Sequence, residues 1–334
     1  MRITKTLFSK PVTFRSSAPL PEGFQLLADE ASLSWRFGER YPIRISELMV
    51  RLYLAAAVLR RRKSVDAVVT GRYGDLFALF QGVVPFGKKA HILLDSEWPN
   101  RHPKRFRRLL SILIHRAIAR GVHKMQVFCK IEAANYASYF GIDKHKFVWI
   151  PYCTDVDNLG HHVEEQDYLF TGGLHHRDYE TLFYAVRDLP ISVHVAAPRH
   201  EIDKHLVSQN MRLLGTSSHD EYFSTMAKAK LIVLSLEPGI MRCPGVITYV
   251  TAMRMGKCVI VNERQGTQDY IVDGETGIVV REKDPEALKN AITSLLSDEA
   301  RRREISRSAM AFAAEHFSIS RYMSDLKTLL LEVE

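Results

Sequence analysis

Residues 243–261 read CPGVITYVTAMRMGKCVIV, and this stretch predicts a helix that runs directly into a buried strand. Pro244 and Gly245 mark the start of the helix, and Gly256 is typical of a helix end. No Ser, Thr, Asp or Asn stands at the start, so the first N–H groups lack a side-chain cap. Such a start is either a buried turn or an anion site, because glycine lets a ligand approach the backbone closely.

The same alternation of strand and helix extends through both halves of the chain. Strands are predicted at 66–70, 90–94, 124–129 and 146–152, and again at 168–173, 191–197, 211–215, 231–236 and 258–262, with helical segments between them. This rhythm predicts an α/β protein with two Rossmann-like, doubly wound parallel sheets facing a cleft, and a boundary near 153–166. In the first 45 residues, FQLLAD at 24–29 is the one candidate strand.

The charge is distributed unevenly over a chain of 334 residues with a formal net charge of +8. Residues 1–150 hold 26 Lys and Arg against 11 Asp and Glu, whereas residues 151–334 hold 20 against 27. A basic half joined to an acidic half indicates that the first half is the one that meets an anionic surface or ligand.

The four cysteines, at 129, 153, 243 and 258, lack the spacing of a metal site, which indicates reduced thiols in a cytoplasmic protein. The first residues carry charges but no apolar run, so no signal peptide is expected. The best apolar run, at 52–59, is too short to span a bilayer. We therefore expect a cytoplasmic protein, either soluble or peripheral on the cytoplasmic face of a membrane.

Six motifs occur in an order that resembles the GT-B glycosyltransferases. They are VWIPYCTD (148–155), YLFTGGLHHRDYETLFYAV (168–186), LLGTSSHDEYFSTMAKAKLIVLSL (213–236), GVITYVTAMRMGKCVIV (245–261), DYIVDGETGIVVREKDPEALKNAITSLL (269–296) and FSISRYMSDLKTLLLEV (317–333). The resemblance is strongest to the retaining family-4 group, which uses nucleotide-diphosphate sugars. It implies an acceptor-side domain at 1–155, a nucleotide-sugar domain at 156–315, and a helix at 316–334 that crosses back to the first domain.

The implied activity is transfer of a sugar from a UDP- or GDP-sugar to a lipid-linked or polysaccharide acceptor in cell-surface glycan synthesis, with retention at the anomeric carbon. Two other functions stay open: a GT-B nucleotide-sugar epimerase or hydrolase, and a nucleotide-sugar-binding protein without catalysis. The chain departs from the family where two glutamates usually stand eight positions apart, because Cys243 and Thr251 occupy those positions. The family's Arg after the glycine turn is Gly173 here, and its downstream Lys is best matched by Arg177.

Within this resemblance, Arg177 is the candidate cation for the leaving diphosphate, since a guanidinium offers paired donors to oxyanions. The alternative is that Arg177 pairs with Asp178 or another surface carboxylate. The other candidate nucleotide-sugar residues are Gly172, Gly173, Gly215, Thr216, Cys243, Gly245, Val246, Ile247, Thr248 and Thr251.

Polar residues also follow two strands of the first half. Asp95 and Glu97 come after the strand at 90–94, and Arg72 and Tyr73 after the strand at 66–70. We predict an acceptor side formed by Arg72, Tyr73 and Glu97, with Asp95 as a catalytic candidate that positions the acceptor or acts as a general base. The alternative is an acid that only caps a loop. Neither His161-His162 nor His175-His176 has chelating spacing, so we expect no metal and no cofactor beyond the donor substrate.

The segment 101–124 combines Arg101, Lys104, Arg105, Arg107, Arg108, Arg116, Arg120 and Lys124 with Leu109, Leu110, Ile112 and Leu113. A basic cluster beside an apolar stripe is typical of a helix that docks on anionic lipid. Nucleic acid would also explain the charge, but no nucleic-acid-binding motif accompanies it. We therefore predict that the helix at 103–120 contacts an anionic membrane surface, and we expect no nucleic acid partner.

Overall fold

The computed structural model describes residues 5–11, 20–39, 41–84, 87–96, 98, 105–154, 163–173, 176–216 and 218–333. The chain divides into two compact units, which are Met1–Pro151 with Ser320–Glu334, and Tyr152–Ile319. Each unit contains one sheet of six strands, and every strand pair recorded within these sheets is parallel. The predicted α/β class with two parallel sheets is therefore confirmed.

The first unit has the strand order β2-β1-β3-β4-β5-β6. Its strands are β1 (Thr6–Lys10), β2 (Phe24–Asp29), β3 (Ala67–Thr70), β4 (Ala90–Leu93), β5 (Lys124–Val127) and β6 (Phe147–Trp149). Its helices are α1 (Glu30–Gly38), α2 (Ile43–Arg61), α3 (Asp75–Val83), α4 (Arg105–Gly121), α5 (Lys130–Phe140) and, at the chain end, α11 (Ile319–Glu332).

The second unit has the strand order β12-β11-β10-β7-β8-β9. Its strands are β7 (Tyr168–Gly172), β8 (Ser192–Ala196), β9 (Met211–Leu213), β10 (Leu231–Leu234), β11 (Val259–Asn262) and β12 (Ile278–Val280). Its helices are α6 (Tyr179–Val186), α7 (His219–Lys228), α8 (Val246–Arg254), α9 (Pro285–Ser297) and α10 (Glu299–His316).

The central strands carry continuous apolar runs because helices cover both faces of a parallel sheet. Every residue of β3, β7, β10 and β11 is buried. The first 45 residues contain β2 at the predicted FQLLAD, and they also contain β1, which the sequence analysis missed. The carboxyl ends of these central strands lead into the turns that carry the candidate site residues.

All four cysteines lie in the described part of the chain, where each is buried and none forms a disulfide. Within the same ranges, no helix combines the length and apolar character that crossing a bilayer requires.

Candidate functional site

The turn after β7 places a cation against the sheet. Gly173 adopts a φ of 141°, and a Cβ at this position would lie 2.5 Å from Cζ of Arg177. The Nε of Arg177 donates to the carbonyl oxygen of Gly172 at 2.9 Å. The glycine at position 173 therefore makes room for the side chain of Arg177.

The start of α8 lies beside this cation. Gly245 is the N-cap with a φ of 82° and has no side chain to cap the helix. Its carbonyl oxygen accepts from the Thr248 amide at 2.9 Å, so the amides that precede Thr248 are the ones a ligand can reach. The Nη2 of Arg177 lies 3.5 Å from Oγ1 of Thr248, which in turn lies 3.1 Å from the hydroxyl of Tyr222. Two predicted residues, Arg177 and Thr248, are thus brought together, and Tyr222 is a neighbour that the sequence analysis missed.

The acid next to Arg177 in sequence has a different role. Asp178 caps α6, where it accepts from the Thr181 amide at 3.2 Å and from the Thr181 hydroxyl at 2.6 Å. It also forms an ion pair with Nζ of Lys283 at 3.0 Å. Asp178 therefore belongs to the framework that fixes the start of α6.

Cys243 and Thr251 both lie in the interior. The Sγ of Cys243 lies 3.0 Å from the hydroxyl of buried Tyr249. Thr251 is 0% exposed, and within the described residues its hydroxyl has no hydrogen-bond partner. Both side chains are thus part of the packing around α8.

The remaining predicted nucleotide-sugar residues lie in two places, the loop after β9 and the first turn of α8. Gly215, with a φ of 72°, and exposed Thr216 follow β9. Val246 is buried, and Ile247 is exposed in the first turn of α8.

A second polar network lies on the loops beside Arg177. The Nδ1 of His176 lies 3.2 Å from Oε2 of Glu237, and its Nε2 lies 3.2 Å from Nη2 of Arg242. Because a guanidinium can only donate, Nε2 accepts and Nδ1 carries the proton given to Glu237. From the sequence, His176 was interpreted only with respect to metal binding, for which its spacing is unsuitable. The described residues contain no group of three or more His, Cys, Asp or Glu side chains that could hold a metal ion.

In the first unit, a cavity of about 240 Å³ lies at the ends of β3 and β4. Its charged and aromatic lining comes from Glu47, Arg51, Arg72, Asp75, Trp98 and His115, and Ser96 adds a hydroxyl. The Nε of Arg51 contacts both carboxylate oxygens of Asp75, at 3.0 and 3.1 Å. Burial, the largest influence, raises the pKa of Asp75 from its ordinary value, and Arg51 works against that rise.

The other predicted acceptor-side residues have different positions relative to this cavity. Tyr73 is buried beneath the guanidinium of Arg72, which lies 5.0 Å from its ring centroid. Asp95 is 1% exposed with a φ of 54°, and its N–H donates to Oε1 of Gln126 at 3.0 Å. Glu97 lies outside the described residues.

The structure also reveals a buried carboxyl that the sequence analysis missed. Glu30 follows β2 directly and is 0% exposed. It accepts from the hydroxyl of Ser9 at 2.8 Å and from the Gly71 amide at 2.7 Å, both on Oε1, and from the Tyr73 amide at 3.4 Å on Oε2. Burial raises the pKa of Glu30 to about 7. The detectable signal was its position, since an acid after a strand lies at a sheet's carboxyl edge.

Comparison with known families identifies part of the second unit. The family model described as Glycosyl transferases group 1 matches residues 194–312. The uncharacterized glycosyltransferase MJ1069 of Methanocaldococcus jannaschii is 26% identical over 82 residues, which cover 25% of this chain and 21% of that protein. The chain thus matches about a fifth of that relative's length.

Solved structures extend the likeness to the fold of nearly the whole chain. Sucrose-phosphate synthase from Thermosynechococcus elongatus has a TM-score of 0.65 at 14% identity, covering 88% of this chain and 80% of that one. Anabaena HepE, solved in complex with UDP and glucose, has a TM-score of 0.67 at 14% identity, covering 98% and 100%. The protein carries a glycosyl transferases group 1 domain on the GT-B fold. The predicted GT-B fold and the resemblance to group 1 glycosyl transferases are confirmed, whereas the activity of the whole protein and the family-4 retaining subgroup stay predictions.

Proposed function

We propose that the protein transfers a sugar from a UDP- or GDP-sugar to a lipid-linked or polysaccharide acceptor in cell-surface glycan synthesis. The observation that carries this proposal is the placement of Arg177 beside the first turn of α8. A helix start carries about half a positive charge, and a guanidinium beside it creates a site suited to a diphosphate. The UDP in the HepE structure is consistent with such a ligand.

The proposed chemistry needs no protein base. The bond between the anomeric carbon and the donor's phosphate oxygen breaks, and the acceptor oxygen forms the new bond on the same face. The acceptor proton passes to the departing phosphate oxygen, whose charge Arg177 and the amides at 245–247 stabilise. The burial of Asp95 supports a structural or acceptor-positioning role for it rather than that of a general base, and we propose retention at the anomeric carbon.

We assign the sugar acceptor to the cavity of the first unit, which contains Arg72. Two arginines and two carboxylates line this cavity, and Arg51 already contacts both Glu47 and Asp75. Such a balanced set of donors and acceptors suits the hydroxyl groups of a saccharide, because a phosphate would also meet the two carboxylates.

We further propose that α4 docks on the cytoplasmic face of an anionic membrane. Its first turns expose Phe106, which is 77% exposed, together with Leu109 and Leu113. Three neighbouring arginines, Arg105, Arg107 and Arg108, are exposed as well. Arg101 and Lys104 of the predicted basic segment lie outside the described residues. Anionic vesicles should therefore co-sediment the protein and release it as salt rises, and equal binding to neutral vesicles would refute the electrostatic part.

The proposed activity is tested with a panel of nucleotide sugars. Thermal shift should first identify the nucleotide sugar that binds, because a ligand of the folded state raises the melting temperature. Transfer to lipid-linked and free oligosaccharide acceptors should then give a product with the donor's anomeric configuration, measured by NMR. Binding without transfer to any acceptor would favour a non-catalytic nucleotide-sugar-binding protein, and release of an altered sugar without acceptor would favour an epimerase or hydrolase.

A further inference from the structure

Glu30 lies where three neighbouring strands of the first sheet end. It follows β2, its partner Ser9 lies near the end of β1, and its partner Gly71 follows β3. Its side chain is fully buried, and all three recorded partners donate a hydrogen to it. A carboxylate in this place serves as the common acceptor for groups from β1 and from the turn after β3.

The ionised form of Glu30 is the one that satisfies all three donors. An ionised carboxylate only accepts, whereas the protonated form must also place an O–H. Because Oε1 already receives two hydrogen bonds, a proton is accommodated on Oε2, which faces the Tyr73 amide at 3.4 Å. Protonation therefore removes the acceptor of Tyr73 and weakens the charge-assisted bond to Gly71.

The turn that Glu30 holds is the one that presents Arg72 to the cavity. A Cβ on Gly71 would lie 2.5 Å from Oε2 of Glu30, so the glycine is what allows the carboxylate to reach the amide. Two residues later, the ring of Tyr73 lies beneath the guanidinium groups of both Arg72 and Arg51, at 5.0 and 5.2 Å. Both arginines line the cavity. A displacement of this turn consequently moves two cationic side chains of the cavity wall.

We infer that Glu30 is a positioning residue, an internal anion whose ionised form holds the turn at 71–73 and thereby fixes Arg72 in the wall of the cavity and Tyr73 beneath it. The cavity's role as an acceptor site rests on the proposed function. The hold of Glu30 on the turn depends only on the hydrogen bonds above.

The charged groups around Glu30 define how it responds to pH. Arg72 on the turn favours the ionised form. The Arg51–Asp75 pair contacts Tyr73 through the Arg51 guanidinium. The Lys10–Asp29 pair lies at the ends of β1 and β2. Burial is the largest influence and raises the pKa of Glu30 to about 7. Both protonation states are therefore present near neutral pH, and the turn is held more firmly as pH rises.

The test is amide hydrogen exchange of the full-length protein between about pH 5.5 and pH 8.5, corrected for intrinsic exchange. For local openings of the turn that leave Glu30 buried, protection of the Tyr73 amide in the wild type should fall by up to about tenfold per pH unit below the pKa, because the ionised fraction falls by that factor. Protection of the Gly71 amide should fall less, since its acceptor Oε1 remains. Glu30→Gln should show the low-pH level throughout, because its amide NH₂ replaces Oε2.

Two further variants make the test specific. Glu132 is another buried carboxyl in the same unit and accepts from the Phe128 amide at 2.7 Å, so Glu132→Gln should leave the Tyr73 profile unchanged. Ser9→Ala removes a hydrogen bond that lowers the pKa of Glu30, so it should move the midpoint to higher pH. This second variant serves even where Glu30→Gln fails to fold.

Arg72 itself supplies the readout of positioning. The rate at which phenylglyoxal modifies Arg72, measured by peptide mass spectrometry as the ratio of wild type to Glu30→Gln, should change with the same midpoint as the Tyr73 amide. Three results would each overturn the inference. They are protection of the Tyr73 amide that does not change with pH in the wild type, the same pH dependence of that protection in Glu30→Gln, and a ratio of Arg72 modification rates that does not change with pH. No sugar acceptor enters these measurements, so failure of the proposed activity remains a separate result.

Discussion

The turn after β3 and the turn after β7 each bind a charged side chain through the main chain, and the two charges have opposite signs. In the first unit the amides of Gly71 and Tyr73 receive the carboxylate of Glu30, which comes from the chain itself. In the second unit the turn at Gly172 receives the guanidinium of Arg177, and the start of α8 adds further positive potential. One turn is completed by an internal anion, and the other concentrates positive charge that suits an anion from outside. The first should therefore govern stability, and the second should govern ligand binding.

The largest effect is expected from filling the space between Glu30 and its turn. Gly71 has a φ of −77°, so Gly71→Ala is compatible with the backbone, but its Cβ meets the buried carboxylate. Overpacking together with the lost buried hydrogen bonds should lower the free energy of unfolding by about 3–4 kcal/mol, measured by urea denaturation.

A double-mutant cycle provides the control for this substitution. In the background of Glu30→Ala the carboxylate is gone, so adding Gly71→Ala should cost much less than it does alone. An equal loss of unfolding free energy in both backgrounds would show that the two residues act independently. It would contradict the interpretation that Glu30 holds the turn after β3.

The next effect is a dependence of stability on pH. The pKa of Glu30 rises from 4.5 to about 7 on folding, because burial of the charge outweighs the hydrogen bonds to the turn. Ionisation therefore strengthens those bonds but lowers global stability, so the contribution of Glu30 to the unfolding free energy is fully present below 4.5 and is lost as pH rises through 7. The shift corresponds to about 3 kcal/mol. Measured from pH 4.5 to 8.5, the unfolding free energy of the wild type minus that of Glu30→Gln should therefore decrease with rising pH.

The difference between the two proteins is measured because buried His91 makes the unfolding free energy change with pH in the opposite direction. Burial lowers the pKa of His91 to about 3, so its contribution is present above 6.5 and is lost as pH falls. This contribution cancels between the two proteins. A difference that stays flat across neutral pH would contradict the assigned behaviour of Glu30.

The smallest effect concerns binding to the second unit. Arg177→Ala should weaken UDP or GDP binding by about 1.5–3 kcal/mol, the value of a charge-assisted hydrogen bond, measured by isothermal titration calorimetry. The unfolding free energy should change by less than about 1 kcal/mol, since the side chain is only partly buried. The matched control is Arg187→Ala, an exposed arginine of the same unit beside Asp188. A dissociation constant unchanged in Arg177→Ala, with the fold intact, would disprove the phosphate assignment.

Sequence patterns predicted the sheets well and the contacts across them poorly. The strands β3, β7, β10 and β11 are largely continuous apolar runs. This pattern is typical of a strand that is buried on both faces of a sheet. The strand β1 was missed because TLFSK has only two large apolar residues in succession. Its burial depends on β2 and β3 on either side, which local composition does not encode.

The candidate site shows the same limit. Arg177 was predicted from its place after a glycine turn, but its approach to Thr248 joins residues 71 positions apart. Glu30 and Gly71 are 41 positions apart, and the hydrogen bond between them follows from the pairing of β1 with both β2 and β3. Side-chain partnerships of this kind depend on strand order, which a single sequence leaves open.

The bond from Nε of Arg177 to the Gly172 carbonyl has a consequence for how the site is preorganised. A free arginine side chain carries about 2 kcal/mol of rotamer entropy that a ligand must overcome when it orders the group. Here the main chain already holds one nitrogen, so folding rather than ligand binding restricts the side chain. The three donors of a lysine share one terminal nitrogen, whereas the guanidinium keeps one nitrogen on the carbonyl and a separate one near Thr248. The guanidinium's several donors thus let one residue act as its own anchor.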